Sequence, residues 1–147
     1  MPGTINTVAK LSDQTNDTVS HANVEDLSFE VGANIDYQAQ WTLVVSSASA
    51  VVGVQLAING PASPTELTYT VTSFTSVGTP TVVNSSTYDA GLDSTTAPAG
   101  AARVQATIRA TIRNGANAGV VAVRFRSSSA GVAVKVHAGS LLVYNTP

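Results

Sequence analysis

From Leu27 onward the apolar side chains fall at every second position, the period of a strand that buries one face and turns the other outward. Leu27, Phe29 and Val31 form the first such run. A longer one takes Ile35, Tyr37, Ala39, Trp41, Leu43 and Val45, alternating with Asp36, Gln38, Gln40 and Thr42. Tyr37 and Trp41 share the aliphatic face, which predicts core packing rather than a surface role. Val52, Val54, Leu56 and Ile58 continue the pattern until Asn59-Gly60-Pro61 stops it, since Gly permits positive φ and Pro cannot donate to a ladder. Leu67, Tyr69 and Val71 then alternate with Thr68, Thr70 and Thr72, residues suited to a pleated surface.

Between residues 78 and 100 the period is lost among prolines, serines and threonines, with only Val82 and Val83 suggesting a short strand, so a long irregular excursion is expected there. Order returns with Val104, Ala106, Ile108, Ala110 and Ile112 on one face and Arg103, Gln105, Thr107, Arg109, Thr111 and Arg113 on the other. Asn114 to Gly119 separates this run from Val121, Val123 and Phe125, which predicts a hairpin closed by a Gly-containing loop. Val132, Val134 and Val136, then Leu142 and Tyr144 beyond Gly139, complete roughly eight to ten strands at spacings typical of sandwiches. The expected fold is all-β: a single antiparallel β-sandwich over residues 23–147, preceded by a polar N-terminal arm over residues 1–22.

Composition adds the character of the surface. Hydrophobic residues make up 44% of the 147 and charged residues only 11%, against a usual charged share of about 25%. The exterior must be covered with Ser, Thr, Asn, Ala and Gly, and with a net charge of -2 it resists close packing with other copies very little. A homo-oligomer is therefore expected. The absence of cysteine removes disulfides, thiolate nucleophiles and thiolate metal sites together. The N-terminus lacks a basic start followed by an apolar run, and no apolar stretch approaches the roughly 20 residues that span a bilayer, so no membrane partner is expected.

The small net charge conceals a division. All nine carboxylates precede residue 99, whereas the five arginines and Lys135 follow it. Arg103, Arg109, Arg113, Arg124 and Arg126 lie on the two runs of the predicted hairpin, opposite the aliphatic residues, and would form one basic patch. Like charges on paired strands repel, so carboxylates should lie nearby, with Glu25, Asp26, Glu30 and Asp36 as candidates. The pairing is either internal to the domain or between subunits, where complementary charge fixes register; both readings stay open. Nucleic acid is not expected as a partner, because the net charge is negative and few aromatics accompany the arginines.

Little chemistry is legible. His21 and His137, the two histidines, lack the nearby His or Cys that a metal site would require, and each reads as a surface or internally satisfied residue. No G-x-S-x-G elbow singles out a serine. Asp89 and Asp93, like Asp13 and Asp17, lack the alternating acidic ligands of a calcium loop. No enzymatic activity, metal or cofactor is expected. Tyr88, beside Asp89, is the aromatic best placed for an exposed ligand contact.

The stretch Leu56-Ala57-Ile58-Asn59-Gly60-Pro61-Ala62-Ser63-Pro64 resembles a segment of the small β-sandwich virion modules of tailed bacteriophages. So do Ala110-Thr111-Ile112-Arg113-Asn114-Gly115, the run Gly119 to Ser127, and Val134-Lys135-Val136-His137-Ala138-Gly139-Ser140-Leu141-Leu142-Val143. The resemblance implies a jelly-roll-like sandwich, commonly trimeric, found in head decoration or cement proteins and in fibres, with no active site to carry over. With no shaft or coiled-coil sequence in the chain, it implies a decoration protein on the outer capsid surface, contacting the major capsid protein or another virion protein. The alternative is a receptor- or glycan-binding module of a fibre or tail, using the loops at 60–65, 78–100 and 114–119.

Overall fold

The alternating runs become strands in a computed structural model of the chain, whose described residues are 3–74, 80–90 and 102–146. Among these there are eleven strands and no helix: β1 (Thr4–Ala9), β2 (Gln14–Asn16), β3 (Ala22–Val31), β4 (Asp36–Ser47), β5 (Val54–Asn59), β6 (Glu66–Phe74), β7 (Pro80–Ser85), β8 (Val104–Arg113), β9 (Gly119–Ser127), β10 (Val134–Val136) and β11 (Leu141–Thr146). They form two sheets with antiparallel pairing. The larger runs β1-β11-β4-β8-β6-β7, with β10 joining β4 to β2 at one end; the smaller runs β3-β9-β5. The expected all-β sandwich is the observed architecture.

The core lies between the sheets and is built from the predicted alternation. Tyr37, Ala39, Trp41, Leu43 and Val45 of β4 point inward and are buried, as are Ala106, Ile108, Ala110 and Ile112 of β8. Val121, Val123 and Phe125 of β9 meet them from the small sheet. Phe29 is the aromatic hub, stacked on Tyr144 at 4.3 Å and tilted against Tyr37 at 5.7 Å and Trp41 at 6.1 Å. Trp41 is fully buried, and its indole N–H reaches across the sandwich to donate to the carbonyl of Leu27 at 3.0 Å. That carbonyl lies where the β3–β9 register shifts, between Asn23 and Ser28. Asp26 there has a φ of 71°, a left-handed conformation that Asp tolerates better than most residues. The bulge breaks the regular ladder, and the indole satisfies an acceptor within the break.

Two expectations are corrected. Residues 4–9 and 14–16 are not a free polar arm: β1 pairs with β11 from Thr4↔Thr146 to Ala9↔Leu141, and β2 pairs with β10. Between them Lys10 is only 2% exposed, its Nζ donating to Gln14 Oε1 and to the Glu25 carbonyl, each at 3.2 Å. The segment reads as polar because most of β1 lies exposed at the rim of the large sheet. The short strand suggested by Val82 and Val83 is present as β7, paired with β6 from Tyr69↔Ser85 to Phe74↔Pro80; of the stretch around it, residues 78–79 and 91–100 lie outside the described residues.

The second correction concerns the hairpin. β8 and β9 do not pair. Each is a central strand of a different sheet, β8 between β4 and β6, β9 between β3 and β5. Both runs are aliphatic on one side, and placing them in opposite sheets lets those sides face each other across the core. A short Gly-containing loop serves a crossing between sheets as readily as a hairpin, so the spacing alone pointed to the more local solution. Asn114 fixes the crossing: it is buried, and its Nδ2 donates to the carbonyls of Gly32 at 2.7 Å and Asn117 at 2.8 Å. At Gly115 a Cβ would stand 2.3 Å from the Ser63 carbonyl oxygen, so the close approach of two loops requires glycine.

Candidate functional site

The outer face of the large sheet is assembled by register. One cross-strand row reads Ala9–Leu141–Thr42–Thr107–Thr72–Val82, spanning β1 to β7. The next reads Thr7–Val143–Gln40–Arg109–Thr70–Asn84, and a third Gln38–Thr111–Thr68, continued toward β1 by the Ile5–Asn145 pair, whose Asn145 Oδ1 accepts from the Gln38 N–H. These rows hold one charged side chain, Arg109, which donates to Gln40 Oε1 at 3.2 Å. Charge collects at the end of the face, where Arg113 lies between Asp36 at 3.4 Å and Glu66 at 3.6 Å. Toward β1 the face turns apolar, with Ile5 74% exposed and Val143 37%. A shallow depression of about 420 Å³ opens there, between Ile5, Gln38, Gln40, Arg109, Thr111 and Val143. Such a face has threonine and glutamine groups for hydrogen bonding, exposed apolar area, and almost no charge to desolvate. Those properties suit contact with another protein surface.

The arginines do not make one patch. Because β8 and β9 belong to different sheets, Arg109 and Arg113 leave the outer face of the large sheet, while Arg124 and Arg126 leave that of the small sheet. Arg124 binds Asp89 at 2.8 Å and the His21 carbonyl at 2.9 Å; Arg126 donates to Gln55 and to the Val19 carbonyl. These two hold the 17–21 loop and the 88–90 turn against the small sheet. Arg103 lies just before β8, apart from both pairs. Of the candidate carboxylates, Asp36 meets an arginine through Arg113. Asp26 Oδ2 instead accepts from the Leu11 backbone N–H at 3.4 Å, and Glu25 and Glu30 are exposed on β3.

Tyr88 is not an exposed contact. A Cβ on Gly60 would stand 2.5 Å from its ring, which therefore lies directly on that glycine, and the ring packs against the core. Burial pushes its hydroxyl up to about 12. Asp89 is held by Arg124, and Asp93 is outside the described residues.

Sequence reasoning missed a cluster at the other end of the large sheet's outer face. His137, 5% exposed, is within 2.8 Å of Ser46 Oγ through Nε2 and 3.2 Å of Asp13 Oδ2 through Nδ1. A carboxylate accepts, so the Nδ1 carries the proton and Nε2 accepts from the serine hydroxyl. The Ala138 N–H donates to Asp13 Oδ1 at 2.9 Å, and Lys135 Nζ lies 3.8 Å from Oδ2. Ser46 occupies an outward position of β4, in register with Lys135, which in turn pairs with Thr15. A cleft of about 430 Å³ lies over this row, lined by Thr15, Ser46, Ser47, Arg103, Lys135 and His137. Burial, foremost, and the Arg103 charge hold the His137 pKa below its ordinary value despite Asp13. The Ala138 N–H, foremost, and His137 hold that of Asp13 down. No local motif announces this cluster, since His137 is 91 positions from Ser46 and 124 from Asp13.

No family model matches the chain, and no curated protein matches it in sequence. Solved structures of infectious bursal disease virus are similar in part. The Gx strain structure gives a TM-score of 0.31 at 8% identity, covering 98% of this chain and 36% of that one. The Gt strain structure and the VP2 subviral particle each give 0.26, at 12% and 11% identity, covering 97% of this chain and 37% of theirs. The chain thus spans little more than a third of the length of these chains. At such scores the likeness carries no argument about function.

Proposed function

We propose that this chain is a structural component of a virion, binding through the outer face of its large sheet. The observation that carries the reading is the set of three cross-strand rows bearing a single charged side chain. A face of that breadth with so little charge has a small desolvation cost on docking, and its threonine and glutamine groups can be satisfied by a partner backbone. Low overall charge and the resemblance of the 56–64 and 110–143 segments to phage virion modules support the same reading. In its specific form, the protein is a decoration or cement protein of a tailed-phage head, present as a homotrimer. It stabilises the shell because it binds the assembled state in preference to free coat subunits.

The test combines the mass of the protein in solution with electron microscopy of purified particles. A trimer, and density for the chain on the head exterior, are the expected results; particles lacking the protein would overturn the proposal. Thr107→Glu places a charge at the centre of the face. As an outward surface substitution it should change stability by less than about 0.5 kcal/mol while weakening attachment or assembly at least tenfold. Saturable glycan binding by a protein absent from heads would instead favour a fibre or tail module.

A further inference from the structure

We propose that Ser46, His137 and Asp13 form a nucleophilic acyl-transfer site that accepts short-chain carboxylic esters in the cleft above β4. The proposal is independent of the binding role of the sheet face. It rests on the hydrogen-bonded sequence Ser46 Oγ to His137 Nε2 at 2.8 Å and His137 Nδ1 to Asp13 Oδ2 at 3.2 Å. These are the separations at which a base removes a hydroxyl proton and a carboxylate holds the base in the required tautomer. Such an arrangement is recognised by geometry and roles, on whatever fold carries it.

Three further observations fit the chemistry. The serine and histidine both line a cleft of about 430 Å³, room for a small ester beside the hydroxyl. Arg103 and Lys135 line the same cleft, so its walls carry positive charge, the sign that favours an oxyanion formed within it. Asp13 is itself fixed, its second oxygen accepting from the Ala138 N–H at 2.9 Å. The imidazole remains neutral near pH 7, because burial and Arg103 disfavour its charged form, and a neutral imidazole is the form that accepts a proton.

The reaction proceeds in two balanced steps. Ser46 Oγ adds to the ester carbonyl carbon as its proton passes to His137 Nε2. The bond from that carbon to the alkoxy oxygen breaks, and the imidazolium returns the proton to the departing oxygen, releasing an alcohol and leaving the acyl group on Ser46. Water then adds to the acyl carbon, giving its proton to Nε2; the bond to Oγ breaks, Oγ regains the proton, and the carboxylic acid leaves. Asp13 is a positioning residue in both steps.

The experiment treats the folded full chain with a fluorophosphonate ester, followed by intact mass and peptide mapping, with circular dichroism confirming the fold. The expected result is one adduct per chain on Ser46, formed faster as pH rises through the titration of His137. Ser46→Ala should abolish the adduct, and His137→Gln should slow its formation by roughly 100-fold or more, the usual contribution of a general base. Asp13→Asn should slow it as well and blunt the pH profile. Folded wild-type protein that takes no adduct, or takes it on another serine, would overturn the proposal. An equal labelling rate in Ser46→Ala would do the same. Because the wild-type mapping needs no variant, a substitution that unfolds the chain leaves the decision intact.

Discussion

Trp41→Phe tests how the two sheets are held in register. The indole is fully buried on β4 and donates across the core to the Leu27 carbonyl at 3.0 Å, within the β3 bulge. Phenylalanine keeps an aromatic ring against Phe29 but has no donor. Losing the bond and stranding a buried acceptor costs about 1–3 kcal/mol, and replacing the indole by a smaller ring adds about 1 kcal/mol of lost packing. The expected loss is about 3 kcal/mol by the combination of these effects. With a urea m-value of about 1–3 kcal/mol per molar, the denaturation midpoint should fall by roughly 1–3 M. Tyr69→Phe is the control: it removes a hydroxyl that donates to the Thr87 carbonyl at 3.1 Å while keeping the ring, and should cost only about 1 kcal/mol. A Trp41→Phe loss no larger than that of Tyr69→Phe would refute the idea that the indole closes the gap left by the bulge.

Other expectations follow from the loops and charges. Gly115→Ala should destabilise by about 1–3 kcal/mol, because the added methyl meets the Ser63 backbone rather than a side chain that can move; urea unfolding measures it. Arg113→Ala, which loses two exposed ion pairs, should cost less than about 1 kcal/mol. Arg124→Ala, which loses the Asp89 pair and the bond to the His21 carbonyl, should cost about 2 kcal/mol, and comparable losses for the two variants would contradict the structure. Burial, foremost, with nearby arginine charge, holds both His21 and His137 below their ordinary value of 6.5. The unfolded chain therefore takes up protons first as pH falls, so stability should be full above about 6.5 and decline below it. Thermal melts of the His21→Gln/His137→Gln double variant should show a flatter pH dependence there than wild type.

Much of the sandwich was legible because each strand from β3 to β6, together with β8, buries one complete side and so displays its period in the residues themselves. β1 escaped notice because it sits exposed at the sheet rim, where no alternation is enforced. β2 is only three residues long, too short for a period. The misplaced hairpin has a different cause. Alternation tells which side of a strand is buried but not which strand it pairs with, and Asn114 makes a crossing out of a loop whose composition also suits a turn. The division of the arginines follows from that crossing and was beyond the reach of parity. The Asp13–His137–Ser46 cluster was hidden for the same reason, since three distant segments meet only after β2, β10 and β4 have paired.

The pairing of β1 with β11 places Thr4 opposite Thr146 at one edge of the large sheet. A polypeptide fused before residue 4 and another fused after residue 146 would leave the domain side by side, making that edge a single attachment point for paired cargo. A short linker between these positions should also yield a circular permutant. New ends opened near Val51, which is 89% exposed in the turn before β5, would leave the strand pairings intact.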